Sequence, residues 1–314
     1  MSELKQPWDK KYQPKTLSEY IFQTPQDRNI FRKIIDNAQL PGNLLLSGVQ
    51  GTGKTSLALI LVNELNIDPI DFLFVKASQE NSVDVMREKI KDFIGSYPIG
   101  DYKVVLLDEA DLISLAGQGV LRNLLDQSIS TGTSRFILTC NYEYKIIPAV
   151  KSRLQQYRFK AHDKNDVTDL AANILLQEGI KFDLPLLDKY VNLAYPDIRK
   201  LIVLLQQHSI TGILVEPSAE RADSDYRLTM FQYLEEGKWV ELRNHLCENV
   251  ATEEWDEVYR FLYENLNKAP GFKTSNKWEE GIVTIAEYLY RNTSVADPAI
   301  NFSACIIRLQ QIIG

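Results

Sequence analysis

Between residues 43 and 159, short apolar runs alternate along the chain with longer amphipathic stretches. The continuous apolar runs cover residues 44–47, 72–75, 104–107 and 136–139. Runs without alternation are typical of parallel strands that helices cover on both faces of the sheet. The windows 55–65 and 83–94 carry apolar residues at intervals of three and four, which predicts helices. The pattern predicts a doubly wound α/β domain with a parallel sheet.

Beyond residue 162 the strand pattern stops and helical periodicity continues. Three short helices are predicted over residues 166–178, 185–195 and 197–208. Residues 217–225 are polar and lack periodicity, which is typical of a linker. The predicted domains are an α/β core (1–160), a small helical lid (161–216), the linker (217–225) and an all-helical C-terminal domain (226–314).

The composition favours a globular cytoplasmic protein. Hydrophobic residues make up 45% and charged residues 25% of the chain. No run approaches the ~18 consecutive apolar residues that a membrane span needs, and the first residues lack the apolar segment of a secretory signal. Cys140, Cys247 and Cys305 lie far apart, which argues against both a disulfide framework and a zinc site.

The net charge of −7 is unusual for a protein that coats nucleic acid without sequence preference. Such proteins are usually basic, because neutralising phosphates dominates their affinity. The charge therefore counts against DNA binding over the whole surface. It leaves open a local basic face, since a few clustered cations can act on their own.

A phosphate-binding loop is predicted over residues 48–55. The segment GVQGTGKT fits the pattern G-x-x-x-x-G-K-[ST] and stands between a predicted strand and a predicted helix. Backbone N–H groups and the helix N-terminus would hold phosphate oxygens, Lys54 would reach the β- and γ-phosphates, and Thr55 would bind Mg²⁺. The alternative is a glycine-rich turn that matches the pattern by chance. Such a turn would not need to stand between a strand and a helix, as this segment does. The predicted ATP-binding residues are Gly48, Gly51, Thr52, Gly53, Lys54, Thr55 and Ser56.

Two adjacent acids, Asp108 and Glu109, follow the apolar run 104–107. A carboxylate in that position stands at the carboxyl edge of the sheet, where α/β proteins bind their ligands. Asp108 is predicted to hold Mg²⁺, and Glu109 to act as the general base on the attacking water. Alone, the pair would fit a solvated loop equally well. Together with the phosphate loop, it favours an ATPase.

Several segments resemble, in order and spacing, the AAA+ clamp-loader ATPases of the replication factor C small-subunit family. They are residues 10–17 (KKYQPKTL), 83–93 (VDVMREKIKDF), 108–111 (DEAD), 118–125 (QGVLRNLL), 136–153 (with CN at 140–141 and KSR at its end) and 196–200 (PDIRK). The resemblance covers about residues 8–205. The short lid and compact length look most like the bacteriophage T4-type large subunit, which implies location in a host cytoplasm. Gln13 departs from the family, which has arginine there.

The resemblance implies further roles at the ATP site. Asn141 would be sensor 1, which orients water against the γ-phosphate, and Arg199 would be sensor 2, which contacts ATP from the lid. Arg153 would be an arginine finger presented to ATP on a neighbouring subunit. The N-terminal segment with Lys11 and Tyr12 would contact the nucleotide. Read without the resemblance, Asn141 would fit a turn and Arg199 a solvated helix face.

The resemblance also implies a DNA-facing surface inside a ring of subunits. The implied DNA contacts are Arg87, Lys89, Lys91 and Gln118. Helix N-termini and basic side chains follow phosphates without reading sequence. Because Glu88 and Asp92 interleave with the basic residues, a solvated charged face remains the alternative.

The function implied is that of an ATP-driven subunit that loads a sliding clamp onto primer–template DNA. Its cofactors would be ATP and Mg²⁺, and its partners copies of itself, a dissimilar subunit, the clamp and DNA, without a membrane. The C-terminal domain would be an oligomerising collar. One alternative is another AAA+ DNA-processing ATPase, such as a helicase or an initiator. Another is a non-hydrolysing scaffold subunit, which Lys54, Asp108 and Glu109 oppose.

Overall fold

The computed structural model describes residues 6–78, 83–216, 230, 233–250, 254–272 and 275–313. The chain divides into two compact units, Met1–Leu214 and Val215–Gly314. The predicted linker 217–225 lies outside the described residues. Its predicted place in the sequence is within a few residues of the division between the units.

The first unit is built on a five-stranded parallel sheet. The strands are β1 (Leu44–Gly48), β2 (Phe72–Lys76), β3 (Lys103–Asp108), β4 (Ser134–Cys140) and β5 (Gln155–Phe159), in the spatial order β2-β3-β4-β1-β5. The four predicted apolar strands are confirmed. The strand β5 had not been predicted, because it lies at the sheet edge and its sequence QQYRF is mostly polar and exposed.

Helices cover both faces of this sheet. They are α2 (Pro25–Asp36), α3 (Lys54–Glu64), α4 (Val83–Gly95), α5 (Leu115–Thr131) and α6 (Pro148–Lys151). The short helix α1 (Trp8–Lys11) precedes them in the chain. Leu44 and Leu46 of β1 pack with α2 and α3, whereas Leu45 packs with α4 and α5. Successive strand residues point to opposite faces, so a continuous apolar strand buries both faces. The predicted doubly wound α/β core is confirmed.

The helical lid follows the sheet and contains α7 (Lys164–Gln177), α8 (Leu184–Ala194) and α9 (Ile198–His208). Each begins after an aspartate whose side chain accepts a backbone N–H of the first turn: Asp163, Asp183 and Asp197. The helix α1 falls within the range 1–160 that is predicted for the core, and it packs on the lid. Trp8 is buried in the lid cluster, and its backbone N–H donates to Gln206. The sequence pattern did not predict this contact, because the two residues are 198 positions apart in the chain.

The second unit has helices α10 (Trp239–Asn249), α11 (Trp255–Asn265), α12 (Ser275–Asn292) and α13 (Pro298–Ile313). They surround one apolar cluster that includes Trp239, Trp255, Tyr259 and Phe302. The described part of this unit contains helices and turns without strands, as predicted. Of the helices within the described residues, none combines the length and apolar character that a membrane crossing requires.

Candidate functional site

The phosphate loop connects the carboxyl end of β1 to the first turn of α3. Gly51 and Gly53 have φ angles of 77° and 79°, a left-handed conformation that glycine adopts at little cost. Gly51 also lies directly against the lid, because a Cβ there would come within 2.6 Å of the Cα of Asp197. The start of α9 therefore lies on the phosphate loop, and the exposed Arg199 lies in its first turn. A contact of Arg199 with ATP stays a prediction.

The ammonium group of Lys54 lies within the phosphate loop. Its Nζ donates to the carbonyl oxygens of Gly48 (2.9 Å) and Val49 (2.8 Å). Burial lowers the pKa of Lys54 to about 8, because the charged ammonium loses its hydration. This cation lies among the N–H groups that the glycine-rich loop offers to phosphate oxygens.

The lowered pKa of Lys54 predicts a pH dependence of ATP binding. Bound phosphates favour the charged ammonium, so binding above pH 8 must be accompanied by proton uptake. The apparent affinity should be level just below pH 8 and fall up to tenfold per pH unit above it. Fluorescent-nucleotide titrations between pH 7.5 and 9.5 measure this. The variant Lys54→Arg should show a flat profile, because guanidinium stays charged. Parallel profiles for the two proteins would contradict the assignment.

Asp108 receives two hydroxyl groups on one carboxylate oxygen. The Oγ1 atoms of Thr55 and Thr139 donate to its Oδ1 at 2.7 Å and 2.5 Å. Hydroxyl and carboxylate oxygens are ligands that Mg²⁺ accepts, and Mg²⁺ in phosphate sites needs only one or two protein ligands. Thr55 and Asp108 therefore fit the predicted metal site.

Glu109 has an unusual backbone for a residue with a side chain, with φ at 58°. Its N–H donates to the Oγ1 of Thr139 at 3.1 Å. One of its carboxylate oxygens lies 3.7 Å from the Nζ of Lys76. Sequence reasoning missed Lys76 and Thr139. The available signal for Lys76 was strand pairing, since it stands beside Asp108 in the register of β2 and β3.

The loop carrying Asn141 follows β4 at the same edge of the sheet. The carboxylate of Asp111 accepts the backbone N–H groups of Asn141 (3.3 Å) and Tyr142 (3.1 Å). Asp111 thus joins the segment after β3 to the segment after β4. The structure brings the predicted sensor 1 residue to the edge that carries the phosphate loop and the two acids.

Gln118 is not available for the DNA contact predicted for it. Its side chain is buried, with 1% of the residue exposed. The amide nitrogen donates to the carbonyl oxygens of Ile113 (3.1 Å) and Lys145 (2.9 Å), and the amide oxygen accepts the N–H of Ile147 (2.8 Å). The contact was implied by the family resemblance alone, and the structure instead uses both ends of the amide within the chain. Gln118 instead joins α5 to the loop after β4.

The N-terminal segment runs from the lid to the phosphate-loop helix. Lys11 Nζ and Tyr12 Oη both donate to Glu178 of the lid, at 2.5 Å and 2.7 Å. Gln13 donates from Nε2 to the Oγ of Ser56 at 3.1 Å. The polar groups of Lys11 and Tyr12 therefore bind the lid, and a nucleotide contact by these residues stays a prediction.

A buried histidine at the start of the lid segment contacts the phosphate loop. His162 Nε2 lies 3.2 Å from the carbonyl oxygen of Thr52, which also accepts the hydroxyl of Tyr20 at 2.9 Å. Burial lowers the pKa of His162, because the charged ring would lose its hydration. The histidine thus holds the phosphate loop at Thr52.

Arg153 lies far from the phosphate loop of its own chain. It precedes β5, which runs parallel to β1 with Gln155 beside Leu44 and Phe159 beside Gly48. Four steps along a parallel strand span roughly 13 Å. Arg153 is therefore at the amino edge of the sheet, whereas the phosphate loop is at the carboxyl edge.

The guanidinium of Arg153 pairs with Asp126 of α5. Its Nε and Nη2 atoms donate to the two carboxylate oxygens at 2.5 Å and 2.9 Å, and Nη1 donates to the carbonyl oxygen of Ala149 at 2.6 Å. The pair lowers the pKa of Asp126, chiefly through the hydrogen bonds from Arg153. The ion pair lies at the surface, so solvent reduces its strength.

The three basic residues of α4 are exposed but do not form one stripe. Met86, Ile90 and Ile94 are the buried side of this helix. Arg87 and Lys91 lie one turn apart on the same flank. At 3.6 residues per turn, Lys89 lies about 160° around the helix from both. The flank with Arg87 and Lys91 is therefore one surface, and Lys89 belongs to the other flank.

Known ATPases match this chain in sequence. Residues 44–161 match the ATPase family associated with various cellular activities (AAA). The replication factor C small subunit of Methanococcus maripaludis is 31% identical over 98% of this chain and 99% of that protein. The chain belongs to the replication factor C small-subunit family. Replication factor C subunit 2 of Saccharomyces cerevisiae is 30% identical over 87% of this chain and 85% of that protein.

Solved structures with little sequence similarity share the fold. The RuvB Holliday junction branch migration motor of Thermotoga maritima matches 81% of this chain and 91% of its own, with a TM-score of 0.58 and 15% identity. A DNA polymerase III gamma-subunit-related protein of Thermotoga maritima matches 90% of this chain and 99% of its own, with a TM-score of 0.56 and 12% identity. The predicted family, the AAA+ fold and ATP hydrolysis are confirmed.

Proposed function

We propose that this chain is a clamp-loader subunit that opens a sliding clamp and places it on primer–template DNA, with ATP hydrolysed at the interfaces between subunits. Membership of the replication factor C small-subunit family supports the clamp-loading role. The position of Arg153 carries the second half of the proposal. An arginine at the sheet edge opposite its own phosphate loop can complete a site only on a neighbouring chain.

In this proposal each chain supplies most of one site and one residue of the next. The phosphate loop and Lys54 hold the β- and γ-phosphates, and Glu109 accepts the proton of the attacking water. Thr55 and Asp108 hold Mg²⁺, which when bound offsets the negative charge of the phosphates. Asn141 orients the water, and Arg199 contacts ATP from the lid. Arg153 of the neighbour balances charge on the transferred phosphoryl group.

The distribution of charge supports DNA contact by the first unit. Residues 1–214 contain 25 basic and 25 acidic side chains, and residues 215–314 contain 10 and 17. The net charge of −7 therefore belongs to the C-terminal unit alone. The α/β unit carries no net charge to oppose phosphate binding by the flank of α4 with Arg87 and Lys91.

The partners proposed are copies of this chain, a dissimilar clamp-loader subunit, a sliding clamp and primer–template DNA. The C-terminal helices would form the oligomerising collar over residues 226–314. Kinship with the bacteriophage T4-type large subunit, and with it the host cytoplasm as location, rests on chain length and the short lid. A helicase or initiator role draws support only from the fold shared with RuvB, at 15% identity.

Steady-state ATP hydrolysis tests the proposed function. The purified chain, co-expressed with candidate partner subunits, is assayed alone, with primed DNA, and with primed DNA plus the clamp. We expect the highest rate only when DNA and clamp are both present. Stimulation by DNA alone, accompanied by strand separation, would indicate a helicase. Absence of hydrolysis in every mixture would indicate a scaffold subunit.

The two flanks of α4 provide a matched comparison in the same assay. Replacing Arg87 and Lys91 together by Ala should weaken DNA-stimulated hydrolysis. It should also reduce the slope of log affinity for DNA against log salt concentration by about 2, which corresponds to the loss of two phosphate contacts. Lys89→Ala should leave both close to wild type. DNA affinity is measured by fluorescence anisotropy at several salt concentrations. An equal effect of Lys89→Ala would contradict the assignment of one flank.

A further inference from the structure

Thr139 lies in β4, two residues before Asn141, and 2% of it is exposed. Its hydroxyl donates to the Oδ1 of Asp108 at 2.5 Å and accepts the backbone N–H of Glu109 at 3.1 Å. One oxygen atom thus contacts both acids of the site. In the sequence, Thr139 was only the last residue of a predicted apolar strand.

The contact with Glu109 concerns a backbone that needs support. Left-handed φ angles are unfavourable for residues with a Cβ and persist where the surroundings hold them. The carbonyl of Glu109 accepts the N–H of Leu112 at 2.9 Å, and its own N–H is held by Thr139. Releasing the N–H would let the segment relax, and the carboxylate of Glu109 would move with it.

The contact with Asp108 concerns the orientation of a metal ligand. Its Oδ1 accepts one hydroxyl from the phosphate-loop helix, through Thr55, and one from β4, through Thr139. Hydrogen bonds to a ligating carboxylate orient it, and losing them typically weakens metal binding 10- to 100-fold. The carboxylate of Asp108 is therefore held from two different elements.

We propose that Thr139 is a positioning residue of the ATPase site, whose hydroxyl orients Asp108 for Mg²⁺ and holds the backbone of Glu109 for proton abstraction. This rests on the proposed roles of those two acids. A residue needed only for packing could be valine equally well, since valine has the same shape and suits a buried strand. The hydroxyl is what distinguishes the two interpretations.

The test compares Thr139→Val with Thr139→Ser in the assembled ATPase. Thr139→Val should lower kcat at saturating Mg²⁺ at least about tenfold and raise the Mg²⁺ concentration for half-maximal rate by about tenfold. ATP affinity measured without Mg²⁺ should stay within about twofold of wild type, because phosphate binding by the loop does not involve Thr139. Thr139→Ser retains the hydroxyl and should keep near-wild-type values.

Wild-type kcat and Mg²⁺ dependence in Thr139→Val would overturn the proposal, as would equal losses in Thr139→Ser. If Thr139→Val does not fold, the difference between Thr139→Ala and Thr139→Ser isolates the hydroxyl in the same assay. Glu109→Gln separates this proposal from the site assignment. Wild-type turnover in Glu109→Gln would refute the site, whereas slow turnover there beside a normal Thr139→Val refutes only the role of Thr139.

Discussion

The substitution Arg153→Ala is expected to leave ATP binding unchanged and to slow hydrolysis by about 10³-fold in the assembled ring. The phosphate loop and the two acids of the same chain lie at the other edge of the sheet, so they keep their geometry. In the proposed role of Arg153, what is lost is the cation that stabilises the transferred phosphoryl group on the neighbouring chain. Nucleotide titration and steady-state hydrolysis measure the two quantities separately.

Mixing Arg153→Ala with Lys54→Ala tests the location of this arginine. Each variant lacks one component of a site, and an interface with Lys54 from one chain and Arg153 from the other contains both. Co-assembled rings should therefore recover activity that neither variant has alone. Because the single losses are so large, a minority of complete interfaces is enough to rise above background. Native mass spectrometry verifies that mixed rings have formed.

Two controls sharpen this experiment. Arg122→Ala removes another exposed arginine, from α5, and should hydrolyse ATP at close to the wild-type rate. Asp126→Asn removes the charge that pairs with Arg153 and should not mimic Arg153→Ala. Failure of rescue in verified mixed rings would refute the trans-acting role. It would also remove the main structural argument for hydrolysis at interfaces.

The second large effect is expected for Glu109→Gln. This change keeps the shape of the side chain and removes the base, so hydrolysis should slow by about 10²-fold or more. ATP binding should remain, because Lys54 and the phosphate loop are intact. The variant should accumulate the ATP-bound complex with clamp and DNA, which size-exclusion chromatography and single-turnover kinetics would detect.

Asp92→Asn is the matched control for Glu109→Gln. It makes the same carboxylate-to-amide change on the exposed side of α4, away from the phosphate loop, and should leave turnover close to wild type. A parallel loss of ATP binding and turnover in Glu109→Gln would instead indicate damage to the fold. Thermal unfolding of both variants distinguishes that outcome, since the site assignment predicts melting temperatures near wild type.

Several features of the site escaped sequence reasoning for related reasons. Lys76 belongs to β2 and Thr139 to β4, yet both contact the acids at the carboxyl end of β3. Each stands in an apolar strand segment, where a polar residue carries no local motif. Asp126 meets Arg153 from a helix 27 positions earlier in the chain. Such pairs are set by strand order and helix packing, which single-sequence periodicity does not contain.

Gln118 and Trp8 also show that a residue's position in the sequence does not predict which segments it contacts. The family resemblance implied a DNA-facing position for Gln118, and the range predicted for the α/β core, 1–160, includes Trp8. The structure buries Gln118 among three backbone groups, one before α5 and two in the loop after β4, and places Trp8 in the lid cluster. Helical periodicity predicts which side of an element is buried, but the partner that covers it depends on the tertiary fold.

The sequence by itself determined the α/β core, its four apolar strands, the phosphate loop and the two acids. These features are local, because apolar strands report burial on both faces and the loop chemistry resides in consecutive residues. Only the tertiary structure decided that β5 closes the sheet edge, that Thr139 holds Asp108 and Glu109, and that Arg153 faces away from its own phosphate loop. Those relations arise when distant segments pack together, and no short segment contains them.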